Sequence, residues 1–468
     1  MRHINKLFIF LFSLLIFSTY SCEETFEELN TDPDNPVVVP NKLLLPSAET
    51  FTAFGVAGAD LAWYTSVWVQ HTAGVWNQME NADKLTDINS QLANNVWRFQ
   101  LYSGSMMDLK QLIDQATEQG ADSYVGISKI LMAYNLGLAT DAWGRIPYSD
   151  ALQGTANIKP VFDSQESIYQ NIQTLLDEGI STLQSATDAP SSDDVIYGGD
   201  LSAWIKAAYA LKARYYNHLS NRDANGSAQN ALTALQNAFD SSSDDFSYAA
   251  FNTNATGENP WYQFQNDRDQ HCVSESFVAL LKSLNDPRLP IYALPVPGLG
   301  TIVGGPNAQS TDQGGILYSK WGSSLVTAAK PLPMMTFVEQ KFIEAEAELR
   351  LGNASNAKVA YETAIGEAMR KVGVSEENIA TYIAQASVSP ATLTLKDIIT
   401  QKYISQFVME SMEAYNDWRR TDVMTLTNPA GPIPVRFPYP TSEYDYNLDN
   451  VPGATVNDGV WWDDGSED

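Results

Sequence analysis

Aromatic residues set among carboxamides are the most chemically suggestive feature of this 468-residue sequence. Trp63, Tyr64, Trp68, Gln70, His71, Trp76, Asn77 and Gln78 crowd one segment, and Trp261, Tyr262, Gln263, Asn266, Asp267, Arg268 and Asp269 crowd another. Trp321 lies in the polar run Ser319–Ser323. A sugar ring has an apolar C–H face and a rim of hydroxyls, so its site needs a flat indole or phenol beside amide, carboxylate or guanidinium partners. On that reasoning Trp76 and Trp321, flanked by amides or by Gly and Ser in predicted loops, are stacking platforms or packing residues. Asn77, Gln78, Arg268 and Asp269 are the candidate hydroxyl partners. Trp261 and Tyr262 follow Asn259 and Pro260, where an aromatic pair often pins a loop to its scaffold, and they are carried as candidates beside that structural reading. Trp63 and Trp68 fall on a helical face and read as core.

Catalytic signatures are missing. His71, His218 and His271 lack metal-site spacing, and the sequence holds no His-Glu-x-x-His, no Gly-x-Ser-x-Gly elbow and no phosphate-binding Gly-Lys-Ser/Thr loop. Gly298 and Gly300 are followed by Val303 where a dinucleotide fingerprint needs its third glycine. Among 56 acidic residues a carboxylate pair for glycoside hydrolysis stays open, so a polysaccharide hydrolase is retained as a minor alternative. No metal site and no cofactor is read.

Composition narrows the partners. With 56 Asp and Glu against 28 Lys and Arg, the net charge of −28 disfavours nucleic acid and anionic lipid, which it would repel. The apolar share of 44% and charged share of 18% are those of a globular chain with a substantial core. Arg2 and Lys6 precede the apolar run Leu7–Phe17, which is about half of what spans a bilayer and matches a signal peptide. Ser21 then stands before Cys22, which predicts a lipoprotein signal over 1–21 (with Thr19 where Leu is usual) and a lipidated Cys22. Removal of Arg2 and Lys6 would leave a net charge of −30. Glu23, Glu24, Glu27 and Glu28 open an acidic tether over 22–48. Cys272 is then a lone thiol and reads as a small buried hydrophobe.

The elements that position these residues are mainly helices. Tyr102, Met106, Leu109, Ile113 and Ala116 recur at helical spacing before the cap Gly120, and Ile127, Leu131, Tyr134 and Leu138 form the next stripe after Asp122. Ile168, Ile172, Leu175 and Leu183 follow, then Trp204, Ala208, Leu211, Tyr215 and Leu219 after the N-cap Asp200. Val338, Phe342, Ala345 and Leu349 run into Gly352, and Ala357, Tyr361, Ala364 and Ala368 follow the cap Ser355. Paired helices with small contact residues predict a mainly α, tetratricopeptide-like scaffold over about 89–240 and 332–420. A loop-rich, aromatic-containing region over about 241–331 and 421–468 would pack on it, making 49–468 one body.

Segments in order along the chain resemble the SusD/RagB family of Bacteroidetes outer-membrane lipoproteins, in its SusD-like branch. They are Leu29–Pro36, Trp143–Leu152, Asn259–Tyr262, Leu284–Leu289, Phe342–Ala347, Gln401–Ile404, Trp418–Thr421, Arg436–Pro440 and Trp461–Asp463. The resemblance implies a non-catalytic, surface-exposed lipoprotein of the outer membrane, anchored through Cys22. Its acidic tether is similar to an outer-face export signal. It further implies capture of oligo- or polysaccharide for a SusC-like TonB-dependent transporter, with peptide capture as the RagB-type alternative. Asp141, Arg145, Arg419 and Arg420 in the shared motifs read as buried ion pairs and turns. A neutral glycan such as a glucan fits the acidic surface better than a polyanion.

Overall fold

Apolar stripes of helical period become antiparallel helix pairs in the computed structural model, which describes residues 39–464. The expected signal peptide, Cys22, the acidic tether up to Val38 and the Leu29–Pro36 motif lie outside the described residues. The N-terminal part comprises α1 (Asn41–Thr50), α2 (Asp60–Trp68), β1 (Thr72–Gly74) and α3 (Asn77–Asp83), with a π-helical stretch, Phe51–Ala57, between α1 and α2. A second π-helix, Val96–Ser105, leads into α4 (Met106–Gln119), α5 (Asp122–Trp143), α6 (Gln165–Ser185), α7 (Leu201–His218) and α8 (Ala224–Leu235). Then come β2 (Phe246–Tyr248), α9 (Pro260–Arg268), β3 (His271–Val273), α10 (Glu275–Ser283) and β4 (Leu332–Met335). The chain returns to helix pairs in α11 (Phe337–Arg350), α12 (Ala354–Lys371), α13 (Glu376–Ile383), α14 (Leu395–Ser405) and α15 (Ser411–Thr421), with the short α16 (Thr441–Tyr446) and α17 (Trp461–Asp464) after them.

The fold is mainly α with tetratricopeptide-like pairs, as the periodicity indicates. Helix α4 packs on α5, α5 on α6, α7 on α8, and α11 on α12. Gly120 ends α4 in the left-handed conformation, φ 66°, where a side chain would be strained. Asp200 caps α7 by accepting from the backbone N–H groups of Ser202 and Ala203 at 2.9 and 3.2 Å. Where α5 meets α6, a Cβ on Gly126 would lie 2.5 Å from Leu183 Cδ2, so glycine there permits the close crossing. Two details differ from the sequence reading. Tyr102 lies in the π-helix before α4, and a kink at Gly104 (φ −101°, ψ −110°) separates it from the register of Met106 onward. Helix α12 begins at Ala354 after Asn353, so Ser355 is inside its first turn.

The β-strands are few and short. β1 pairs antiparallel with β3, with Gly74 opposite His271, and β2 pairs antiparallel with β4. The first pairing ties the segment after α2 to the segment after α9 and thereby sets the two aromatic-amide segments side by side. Cys272, opposite Ala73, is fully buried, and burial pushes its thiol up to about 12. One continuous apolar core runs from Leu44 to Trp462, and a smaller one occupies α11 to α14.

Charges are buried within the helical scaffold. Arg214 on α7 donates through Nε to Glu339 at 2.8 Å and through Nη2 to the other Glu339 oxygen and to the Met334 carbonyl. Arg420 on α15 donates to both oxygens of Glu346 and to Asp417, whose other oxygen meets Lys402 Nζ at 2.8 Å. His218 lies between two carboxylates, with Nε2 3.0 Å from Glu413 and Nδ1 3.3 Å from Asp141. Asp141 also accepts from the Tyr169 hydroxyl and from Trp462 Nε1, at 2.5 and 3.0 Å. Asp141, His218 and Glu413 are close enough to share a metal ion. However, Nδ1 also meets the Tyr169 hydroxyl at 2.9 Å, and the two carboxylates hold the imidazole in its protonated form, which offers no lone pair to a cation. Arg419 reaches the Asp141 carbonyl at 2.8 Å, in keeping with the structural role read for the shared motifs.

Burial alone would push the His218 imidazole down, but the Asp141 and Glu413 carboxylates outweigh it and hold the pKa at about 9, above the ordinary 6.5. The folded protein therefore keeps this proton where the unfolded chain has released it. The resulting stability is complete below pH 6.5 and is lost as pH rises through about 9. Denaturant titrations should show the unfolding free energy falling by about 3 kcal/mol over that window, a decline that His218→Gln should abolish.

Candidate functional site

Three helices each turn one face to a cavity of about 620 Å³. Helix α2 supplies Asp60, Trp63 and Tyr64; α3 supplies Asn77, Gln78, Asn81 and Ala82; α9 supplies Gln263, Phe264, Asp267 and Arg268. These sets are spaced by one, three, four or five positions, as neighbours on a helical surface must be. The turn after α3 closes the rim with Asp87, Asn89, Gln91, Leu92 and Asn95.

The floor is aromatic and lies in layers. Trp63 lies on Phe264 with centroids 4.1 Å apart and planes inclined by 32°. Behind Phe264 stands His271, at 5.4 Å, itself flanked by Trp261 at 5.5 Å and Trp321 at 6.2 Å. Burial pushes the His271 imidazole down to about 3, so this backing is uncharged at neutral pH. Tyr64 hydroxyl accepts from Gln78 Nε2 at 2.6 Å, which fixes the amide on the wall. Seven carboxamides and the Asp60, Asp87, Asp267 and Arg268 charges surround the floor. Burial raises the Asp60 carboxyl to about 6, against the opposing pull of the Arg268 guanidinium, so it is an acid that titrates near neutrality. Amides offer donors and acceptors together, which is what a ring of hydroxyls requires.

The structure brings together three of the residues singled out from sequence, Asn77, Gln78 and Arg268, at this cavity. Trp76 is half-exposed just before α3 and does not line it, and Tyr262 is half-buried outside it. Trp321 and Trp261 require correction as platforms. Trp261 is fully buried and Trp321 is 6% exposed, edge-on to each other at 5.8 Å, so neither offers a ring face to a ligand. The Asn259 cap that accepts from the Trp261 N–H at 2.9 Å drives α9 inward and buries the indole. Asp269 lies outside the cavity just beyond the end of α9, paired with Lys320 at 2.7 Å and with Gln265 at 2.5 Å.

Trp63 and Phe264 were missed, although helical geometry carried a signal. Trp63 and Trp68 are five positions apart, a rotation of about 140° around a helix, so they cannot share one buried face. Tyr64 is the residue that shares a face with Trp68, their rings 6.1 Å apart, and Trp63 is left to the cavity. The same periodicity extends Asn77 and Gln78 to Asn81, and Arg268 to Phe264 and Gln263.

Residues 43–440 match a SusD-like family described as starch-binding and associating with the outer membrane. A SusD/RagB family protein from Bacteroides thetaiotaomicron is similar in structure, with TM-score 0.81, 28% identity, and coverage of 92% of this chain and 100% of that one. A chitin-binding SusD homologue from Flavobacterium johnsoniae shares the fold at TM-score 0.77 and 21% identity, covering 91% and 99% of the two chains. A further structure described as a chitin-binding protein has TM-score 0.78 and 23% identity, covering 91% and 100%. No curated protein matches the sequence. Among the described residues no helix is long and apolar enough to cross a membrane.

Because Trp261 and Trp321 back the floor, Trp261→Ala or Trp321→Ala should destabilise the fold by about 3–5 kcal/mol, measured by denaturant unfolding.

Proposed function

Because the chain belongs to the SusD-like family, whose members are carbohydrate-binding, non-catalytic proteins associated with the outer membrane, we propose that its amide-rimmed cavity captures a neutral oligo- or polysaccharide for uptake. The observation that carries this reading is the Trp63–Phe264 stack ringed by seven carboxamides. A pyranose laid on Trp63 would bury its C–H face against the indole and turn its hydroxyls to Asn77, Asn81, Asn95, Gln263 and the carboxylates. Three acidic groups against one basic group at the rim favour an uncharged polymer and repel uronic or sulfated ones. A glucan is the first polymer to test, and the description of relatives as starch- or chitin-binding supports neutral glycans as a class.

In this reading the mature chain is a lipoprotein held at the cell surface through Cys22. It passes its ligand to a SusC-like TonB-dependent transporter. The amino-terminal signal, the lone cysteine at its end and the family's outer-membrane association support the anchor.

Affinity electrophoresis across starch, other glucans, soluble chitin derivatives and alginate tests the capture step. Retardation by a neutral polymer and none by alginate is expected. Trp63→Ala should weaken binding by about 2 kcal/mol, roughly thirtyfold in Kd, while Trp76→Ala should migrate like the parent. A Trp63→Ala protein that binds as well as the parent would remove the proposed platform.

A further inference from the structure

We propose that a second cavity, sharing a wall with the first, binds the following sugars of the same glycan chain; this rests on the capture reading above. The second cavity is about 390 Å³ and is lined by Trp97, Arg98, Tyr102, Gln153, Asn157 and Tyr446, among others. The wall is the segment that enters the second π-helix. Asn95 lines the first cavity and Arg98 lines the second. Both are exposed and stand three positions apart, at the turn that enters the π-helix. This segment forms the ridge between the two cavities.

The ridge is held against the far side of the second cavity. Thr441 N–H donates to the Ser90 carbonyl at 3.2 Å and to Asn94 Oδ1 at 2.9 Å, which docks α16 beside it. Trp97 Nε1 donates to Glu443 Oε1 at 3.0 Å and closes the floor. Over that floor Tyr446 stands 70% exposed, an aromatic ring that core packing does not account for. Arg98 forms no ion pair among the described residues, so its guanidinium donors remain open to a ligand. Gln153, Asn157, Asn447 and Arg98 supply polar groups, beside the apolar Met107, Leu152, Ile158 and Pro160. The occupant follows from continuity, since a glycan leaving Trp63 across Asn95 meets Arg98 and Tyr446 next.

Calorimetry with maltooligosaccharides and chitooligosaccharides of increasing length, on the full mature chain, tests this. The parent should gain affinity with length once a ligand can cross the ridge, as linked contacts act at high effective concentration. Tyr446→Ala should leave the shortest binding sugar unaffected and cost the longest about tenfold, with Tyr446→Phe restoring it. Thermal unfolding unchanged by Tyr446→Ala would show the fold is intact. The proposal falls if Tyr446→Ala and the parent bind every length alike while Trp63→Ala loses all of them, a result that leaves the first cavity's reading standing. It falls equally if Ile158→Asp and Tyr446→Ala reduce only copurification with an outer-membrane protein, which would make the exposed Ile158 and Leu448 a protein-docking rim. No sugar binding by the parent at any length would sink both readings.

Discussion

A charge moved from water into a protein interior must meet its partners there, or its desolvation outweighs what the fold returns. The buried groups around Arg214, His218, Glu413, Asp141, Glu346 and Arg420 impose that demand on this molecule. They come from α5, α7, α11 and α15, with Lys402 of α14 and Trp462 of α17 completing the set. Each helix is therefore held in rotation and in height, because a slip of one position would strand a carboxylate or a guanidinium. The constraint reaches the first cavity through α15. Its Tyr415 packs 5.7 Å from Trp68, which also meets Phe437 at 4.7 Å, so the inner face of α2 is fixed by the charged scaffold. The outer face of the same helix then carries Asp60 and Trp63 to the cavity.

The cavity itself separates two tasks among its aromatic residues. Trp63 turns to the cavity, and Phe264, His271, Trp261 and Trp321 keep it in position from behind. A neutral His271 suits the second task, since a cation beneath the indole would have to be hydrated or paired. The rim is made of short amides on helical faces and on one turn. Their donors and acceptors are spread around the floor, so under the proposed capture recognition would depend on several modest hydrogen bonds rather than one strong ion pair.

Much of the scaffold was legible because its rules are local. Gly120 and Asp200 act as the caps their types indicate, and the stripes from Met106 to Tyr215 form α4 to α7. The π-helices were not legible, since the turns of Val96–Ser105 widen and then kink at Gly104, which the 3.6-residue period does not encode. The site was legible in chemistry and only partly in position. Asn77, Gln78 and Arg268 lay where exposed polar residues on helix faces belong. Trp321 misled because Gly and Ser neighbours resemble a surface loop, whereas the strand β3 and α9 fold over it. Trp63 was passed over because it sat beside residues that are buried, although its angle around α2 differed from theirs.

The bond from Trp462 to Asp141 spans 321 positions of sequence. A stacked-repeat protein can gain or lose its units one after another, each leaning only on its neighbours. Here the repeats are closed into a ring of obligations by a residue far along the chain. Partial forms holding only the first helix pairs would contain Asp141 and His218 without all the groups that neutralise them. The architecture is modular in cross-section, yet its buried charges are all partnered only when the distant end of the chain is in place.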